Sequence, residues 1–166
     1  MAHFAKLNSK KEVVSIAVVP NAALPNDTEE EGITYLNKVW SVNNVIWKKC
    51  SYNTHDNVHA LGGTPYRGNY PGVGWSYDEA NDIFIAKQPY PSWTLNVSKA
   101  EWEAPVARPT SAQLDINNKG GMMRLDWEED NARWTAYDSA TATGNQDITD
   151  TQQYAWNSST SIWDEI

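Results

Sequence analysis

Four times in this chain, two large aromatics bracket a short polar segment. The pairs are Trp75 and Phe84 in WSYDEANDIF, Trp93 and Trp102 in WTLNVSKAEW, Trp127 and Trp134 in WEEDNARW, and Trp156 and Trp163 in WNSSTSIW. The spacings are nine, nine, seven and seven. In a hairpin with an even loop, residues an odd number of positions apart face each other across the strands. Each pair is therefore expected on one face with its rings side by side, contributing roughly 0.2–1 kcal/mol beyond plain strand pairing. The middle segments, Asp78–Asp82, Asn96–Ala100, Glu128–Asn131 and Asn157–Ser161, supply turn residues. The repeated shape reads as a hairpin held by its own aromatic clasp. An isolated hairpin is marginal in water, so such units add to a larger sheet or to another protein's surface.

Composition agrees with strands. Nine Trp and eight Tyr stand against two Phe and three Met in 166 residues, so strand formers carry the apolar content. The length allows one ordinary domain or two small ones. The net charge of −8 argues against a nucleic-acid footprint. It is uneven: residues 1–109 hold ten Lys/Arg against eleven Asp/Glu (−1), and residues 110–166 hold three against ten (−7). Cys50 is the one cysteine, which rules out an intrachain disulfide and a Cys-based zinc site. No stretch resembles a signal peptide or a membrane span, so production in a cytoplasm is expected.

Along the chain, HFAKLN and the β-branched run Val13–Val19 form a predicted hairpin turned at Ser9–Lys11 and stopped by Pro20. Asp27 or Thr28 caps a predicted helix near 29–40, with Glu29, Glu30 and Glu31 at its positive end. Ile33, Leu36 and Trp40 share a face there, while Gly32 counts against it on propensity. NVIWKKCSYN reads as a strand, and THDNVHALGGTPYRGNYPGVG as a long ordered loop or insert. Pro105 and Pro109 mark the expected boundary between a first part, 1–106, and a second, acidic part, 110–166. Residues Asp138–Gln153 read as a polar loop or an exposed Thr-rich strand.

Motifs for chemistry are weak. His55 and His59 have an i, i+4 spacing, but within a loop and without HExxH. The acidic run DTEEE reads as a solvated helix start, and LGGTPYRGNYPGVG lacks the phosphate-loop lysine. The carboxylates of DWEED, Asp126 and Glu129 among them, read as turn and surface residues rather than a glycosidase pair. Cys50 has no convincing neighbouring His and reads as a core thiol. No catalytic, cofactor-binding or metal-binding residue is assigned, and no cofactor is expected. Exposed Trp and Tyr faces would also suit stacking on sugar rings, so a glycan is the alternative ligand.

Several stretches resemble a family of short proteins encoded by marine bacteriophages, cyanophage-like ones in particular. They are MAHFAKLN with VVSIAVV, RGNYPGVGWSYDEANDIFI, PYPSWTLNVSKAEWEAPV and YAWNSSTSIWDEI. The resemblance covers most of 1–106 and about 154–166, with THDNVHALGGTPY looking like an insertion found in some members. It implies a virion component and carries no site residues over.

The expected fold is mainly β: an antiparallel sheet domain with one short helix, followed by a small β-hairpin module. The expected function is non-enzymatic, a capsid decoration or cement protein in the virion. The alternatives are a tail or tail-fibre component and a glycan-binding adhesion module. Expected partners are the major capsid protein, other virion proteins or further copies of the chain, with neither nucleic acid nor membrane. The near-neutral first part is expected to dock and the acidic part to face water.

Overall fold

The computed structural model describes residues 1–42, 45–114, 123–138 and 153–166. The fold is mainly β, with antiparallel sheets and one α-helix among the described residues. The polar stretch read at Asp138–Gln153 lies, apart from its two end residues, outside them.

The predicted first hairpin forms. β1 (Ala2–Leu7) and β2 (Val13–Val19) pair antiparallel. Their turn is held by Asn8, whose Oδ1 accepts from the amides of Lys10 and Glu12 at 2.9 Å each, with Lys11 left-handed at φ 63°. Next comes the helix α1 (Glu29–Trp40). Thr28 caps it: Thr28 Oγ1 accepts from Glu31 N (3.3 Å), and the Glu31 carboxylate accepts in return from Thr28 N (3.2 Å). This reciprocal box fixes the first turn. β3 (Ile46–Cys50) then lies on the other edge of β1, giving the order β2-β1-β3.

Both faces of this sheet are covered, so β1 does not read as inside/outside alternation. On one face Phe4, Ala17, Val19 and Trp47 pack with Leu24 and with Leu36 of α1. Gly32 sits against Phe4: a Cβ there would lie 2.0 Å from Phe4 Cζ. The glycine that propensity disfavours is what lets the helix approach this closely. On the other face Ala5, Leu7, Val13 and Cys50 pack with Tyr77 and Phe84.

The Gly/Pro-rich stretch holds a small hairpin, β4 (Thr54–His55) with β5 (Val58–His59), turned by left-handed Asp56 and Asn57 (φ 50° and 60°). β6 (Ser76–Asp78) and β7 (Ile83–Ile85) form the next, and β8 (Thr94–Asn96) and β9 (Glu101–Glu103) the third. β10 (Met123–Glu128), β11 (Arg133–Asp138), β12 (Gln153–Asn157) and β13 (Ile162–Glu165) make a four-stranded antiparallel meander.

The chain divides into two compact units, Met1–Pro89 with Leu95–Trp102, and Tyr90–Thr94 with Glu103–Ile166. The division therefore runs through β8 and β9, ahead of the Pro105–Pro109 stretch where the sequence places it.

Arg67 ties the first unit together, itself left-handed at φ 53°. Its guanidinium donates to Lys49 O (2.7 Å) and to Glu29 Oε2 (2.9 Å). Its Nε lies 2.9 Å from Asp82 Oδ1, an ion pair set off the hydrogen-bond angle. Glu29 Oε1 also accepts from Lys49 N (2.5 Å), so one carboxylate holds helix, strand and loop. The buried Lys49 ammonium donates to Asp27 and lies 4.8 Å over the Tyr66 ring.

Cys50 is 2 % exposed, and burial pushes its thiol up to about 12. The thiolate is the reactive form. Cys50 is therefore expected to resist a disulfide-exchange reagent in native buffer at neutral pH and to react at once in denaturant. Fast native labelling would contradict this packing.

Candidate functional site

The repeated hairpins share one frame of eight residues. It reads Tyr77-to-Phe84 (YDEANDIF), Leu95-to-Trp102 (LNVSKAEW), Trp127-to-Trp134 (WEEDNARW) and Trp156-to-Trp163 (WNSSTSIW). The sixth position is left-handed in all four: Asp82 (φ 50°), Ala100 (54°), Ala132 (46°) and Ser161 (56°). None is glycine, the usual residue for this conformation. The second position holds the turn. Asp78 Oδ1 accepts from Ala80 N and Asn81 N (2.9 and 3.2 Å), Asn96 Oδ1 from Lys99 N (3.2 Å), and Asn157 Oδ1 from Ser159 N and Thr160 N (3.2 and 3.3 Å). Glu128, one methylene longer, instead takes Asn131 Nδ2 (2.9 Å) and Arg133 Nε.

Where the cross-strand register is defined, the first and eighth positions are the clasp. Trp127 pairs with Trp134 and Trp156 with Trp163, each with ring centroids 5.1 Å apart. Both lie across their hairpins as the spacing predicts. The two spacings of nine need correction. Phe84 pairs across the strands with Tyr77, at 5.3 Å between rings, and not with Trp75. Trp75 instead packs, half-buried, against the second-face core, and its carbonyl accepts from Val13 N. In the third hairpin, Leu95 holds the frame position of Tyr77, and Trp93 precedes it by two residues. Trp93 belongs to the second unit, where it packs on Trp127 (6.0 Å) and Trp134 (5.6 Å); Trp102 belongs to the first, where its indole N–H donates to Ala86 O (2.9 Å). The reason is where the turn falls. Residues nine apart can pair over a four-residue loop, as Ser76 and Ile85 do, but the turn centred on Ala80 and Asn81 lies one residue too late for Trp75 to face Phe84.

In the second unit the tryptophans form a core. Trp127, Trp134 and Trp156 are buried, with Tyr90, Trp93, Val106 and Trp163 against them. Three of the indole N–H groups donate within the unit: Trp127 to Glu129 Oε2 (2.8 Å), Trp134 to Val106 O (2.9 Å) and Trp163 to Gln113 O (2.6 Å). These rings meet edge-to-face or tilted and serve as packing residues. The more exposed aromatic rings include Trp40 (45 %) and Tyr52 (66 %), outside the clasps.

His59, Asp126 and Glu129 of the weaker motifs accept hydrogen bonds within the chain. His55 and His59 lie on facing strands of a tight hairpin, and His59 Nδ1 accepts from Leu61 N (3.2 Å) and Gly63 N (2.9 Å). Asp126 accepts from the Tyr90 hydroxyl (3.1 Å), and Glu129 from Ser92 N and Oγ (2.8 Å each). Among the described residues no group of three His, Cys, Asp or Glu could hold a metal ion, and no helix is long and apolar enough to cross a membrane.

Several of these carboxylates sit below the usual carboxylate range. Hydrogen bonds from Asn81 hold Asp78 down, and Arg133 with Asn131 holds Glu128 down. For Glu129 and Glu31 burial pulls upward, but hydrogen bonds from Trp127 and Ser92, and from Asn26 and Thr28, outweigh it. A folded pKa below the unfolded one contributes stability above the unfolded pKa, and that stability is lost as pH falls through the folded pKa. The melting temperature is therefore expected to fall as pH drops below roughly 4, the ordinary carboxylate value. Melts across an acid series check this, and a melting temperature that rises with acid would reject it.

Comparison with known protein families, with curated proteins and with solved structures found no match.

Proposed function

We propose that this chain is a non-enzymatic bacteriophage virion protein that docks on the particle surface as a capsid decoration or cement protein. The observation that carries the reading is the eight-residue hairpin frame used four times, three of them in stretches that resemble short marine-phage proteins. Each hairpin closes on itself in eight residues and leaves short strand edges, a form suited to strand addition and flat docking. The near-neutral first part is the half that grips, because unpaired charge resists desolvation. The nearest alternative is a tail or tail-fibre position. A glycan-binding role would rest on the exposed rings of Trp40 and Tyr52.

The test is to add the purified chain to particles of the encoding phage that lack it and to image them. Density on the capsid and a raised melting temperature of the bound chain are the expected results, since binding the folded state stabilises it. Density on the tail would select the alternative. A chain that binds no particle would overturn the proposal.

A further inference from the structure

His59 closes a loop on its own ring. Its Nδ1 accepts from the amides of Leu61 (3.2 Å) and Gly63 (2.9 Å), and its carbonyl accepts from Gly62 N (2.9 Å). The successive amides 61, 62 and 63 are thus all held by one residue. Gly63 lies against the imidazole: a Cβ there would meet Cε1 at 2.9 Å and both ring nitrogens at 3.1 Å.

The turn between β1 and β2 uses the same pattern with a different side chain. Asn8 Oδ1 accepts from the amides two and four positions on, Lys10 and Glu12, at 2.9 Å each. His59 Nδ1 also accepts from the amides two and four positions on. Both acceptor atoms stand the same number of bonds from the backbone. They differ in one respect. An amide oxygen accepts whatever the pH, whereas an imidazole nitrogen accepts only while it carries no proton.

We propose that the loop 60–64 is a pH-responsive latch, closed while the His59 imidazole is neutral and released when Nδ1 takes up a proton. The two accepted bonds require the neutral tautomer with its proton on Nε2. Protonation sets a third donor against two donors. A ring flip gives no relief, because both nitrogens of the cation donate. The bonds are therefore present on the alkaline side and lost as pH falls, across the range from about 8 to about 5 in which imidazoles change charge. Ordinary carboxylates titrate lower, near 4.

The surroundings leave the ring to respond. Thr54 stands opposite His59 across the hairpin, while His55 and Val58 lie on the other face. The other ionisable groups of the hairpin are His55 and Asp56, both exposed. Residues 60–64 carry no ionisable side chain, and among the described residues no ion pair reaches His59. Leu61 is 79 % exposed, so the latch fixes an apolar loop tip at neutral pH and frees it in acid. This inference does not depend on the virion reading.

Nuclear magnetic resonance on the full chain tests it. At about pH 8, long-range proton–nitrogen spectra should show His59 with a bare Nδ1 and a protonated Nε2. Down to about pH 5, the amides of Leu61 and Gly63 should lose protection by about tenfold, after correction for the intrinsic pH dependence of exchange. Those of Lys10 and Glu12, held by Asn8, should keep theirs. His59→Asn should keep the loop protected at both ends of the range, and His55→Asn should leave the response intact. A proton on Nδ1 at pH 8, or Leu61 and Gly63 amides indifferent to pH, overturns the proposal and needs no variant to see. A response that survives His59→Asn, disappears in His55→Asn, or extends equally to Lys10 and Glu12 also overturns it.

Discussion

Replacing Gly32 by alanine is expected to destabilise the first unit by about 3 kcal/mol, although alanine is the better helix former by about 1 kcal/mol. The added Cβ would lie 2.0 Å from Phe4 Cζ and 2.6 and 2.7 Å from the two Cε atoms. Phe4 cannot give way, because it is fully buried among Ala17, Val19, Leu24, Leu36 and Trp47. The helix must therefore lift off the sheet or the ring must leave its rotamer, and both forfeit packing. A melt lowered by about 10 °C is the expected reading for a chain of this size. Phe4→Leu removes the opposing ring edge, so Gly32→Ala should cost much less in that background. Gly32→Ala as stable as the parent, or equal costs in both backgrounds, would show that the close approach does not matter.

Trp134→Ala is expected to cost about 3–5 kcal/mol, the range for deleting a buried large aromatic. Trp134 is 7 % exposed, lies 5.1 Å from Trp127 and 5.6 Å from Trp93, and donates to Val106 O. Its loss opens a cavity and leaves a carbonyl without that donor. Trp163→Ala should cost clearly less, since Trp163 is half-buried on the terminal strand β13. Denaturant melts followed by tryptophan fluorescence rank the two. Equal costs would mean that the three buried indoles are not the centre of the second unit.

The helix was legible because its determinants are local: Thr28, Glu31 and the apolar face at Ile33 and Leu36 lie within nine residues. The two spacings of seven were legible for the same reason. The spacings of nine misled because the turn carries no audible signal. Its left-handed position is filled by Asp82 and Ala100, where glycine would have announced the position of the turn. Trp93 could not be placed from sequence, since its partners Trp127 and Trp134 are more than thirty positions away. The Arg67 network was missed because the residue sits in a run that composition marks as loop. An arginine amid glycine, proline and tyrosine, with no acid beside it in sequence, was the available hint.

The eight-residue frame also sets an order of events in time. A hairpin closing over four residues forms in about 1–10 μs. The Trp156/Trp163 and Trp127/Trp134 hairpins can therefore appear, clasped, long before distant segments meet. Leu7 must find Ile46 to seat β3 on β1, a search across most of the first unit's early half. Refolding should accordingly show tryptophan–tryptophan ring coupling early and the burial of Trp47 and Cys50 late, with the slow step set by the sheet that contains no clasp.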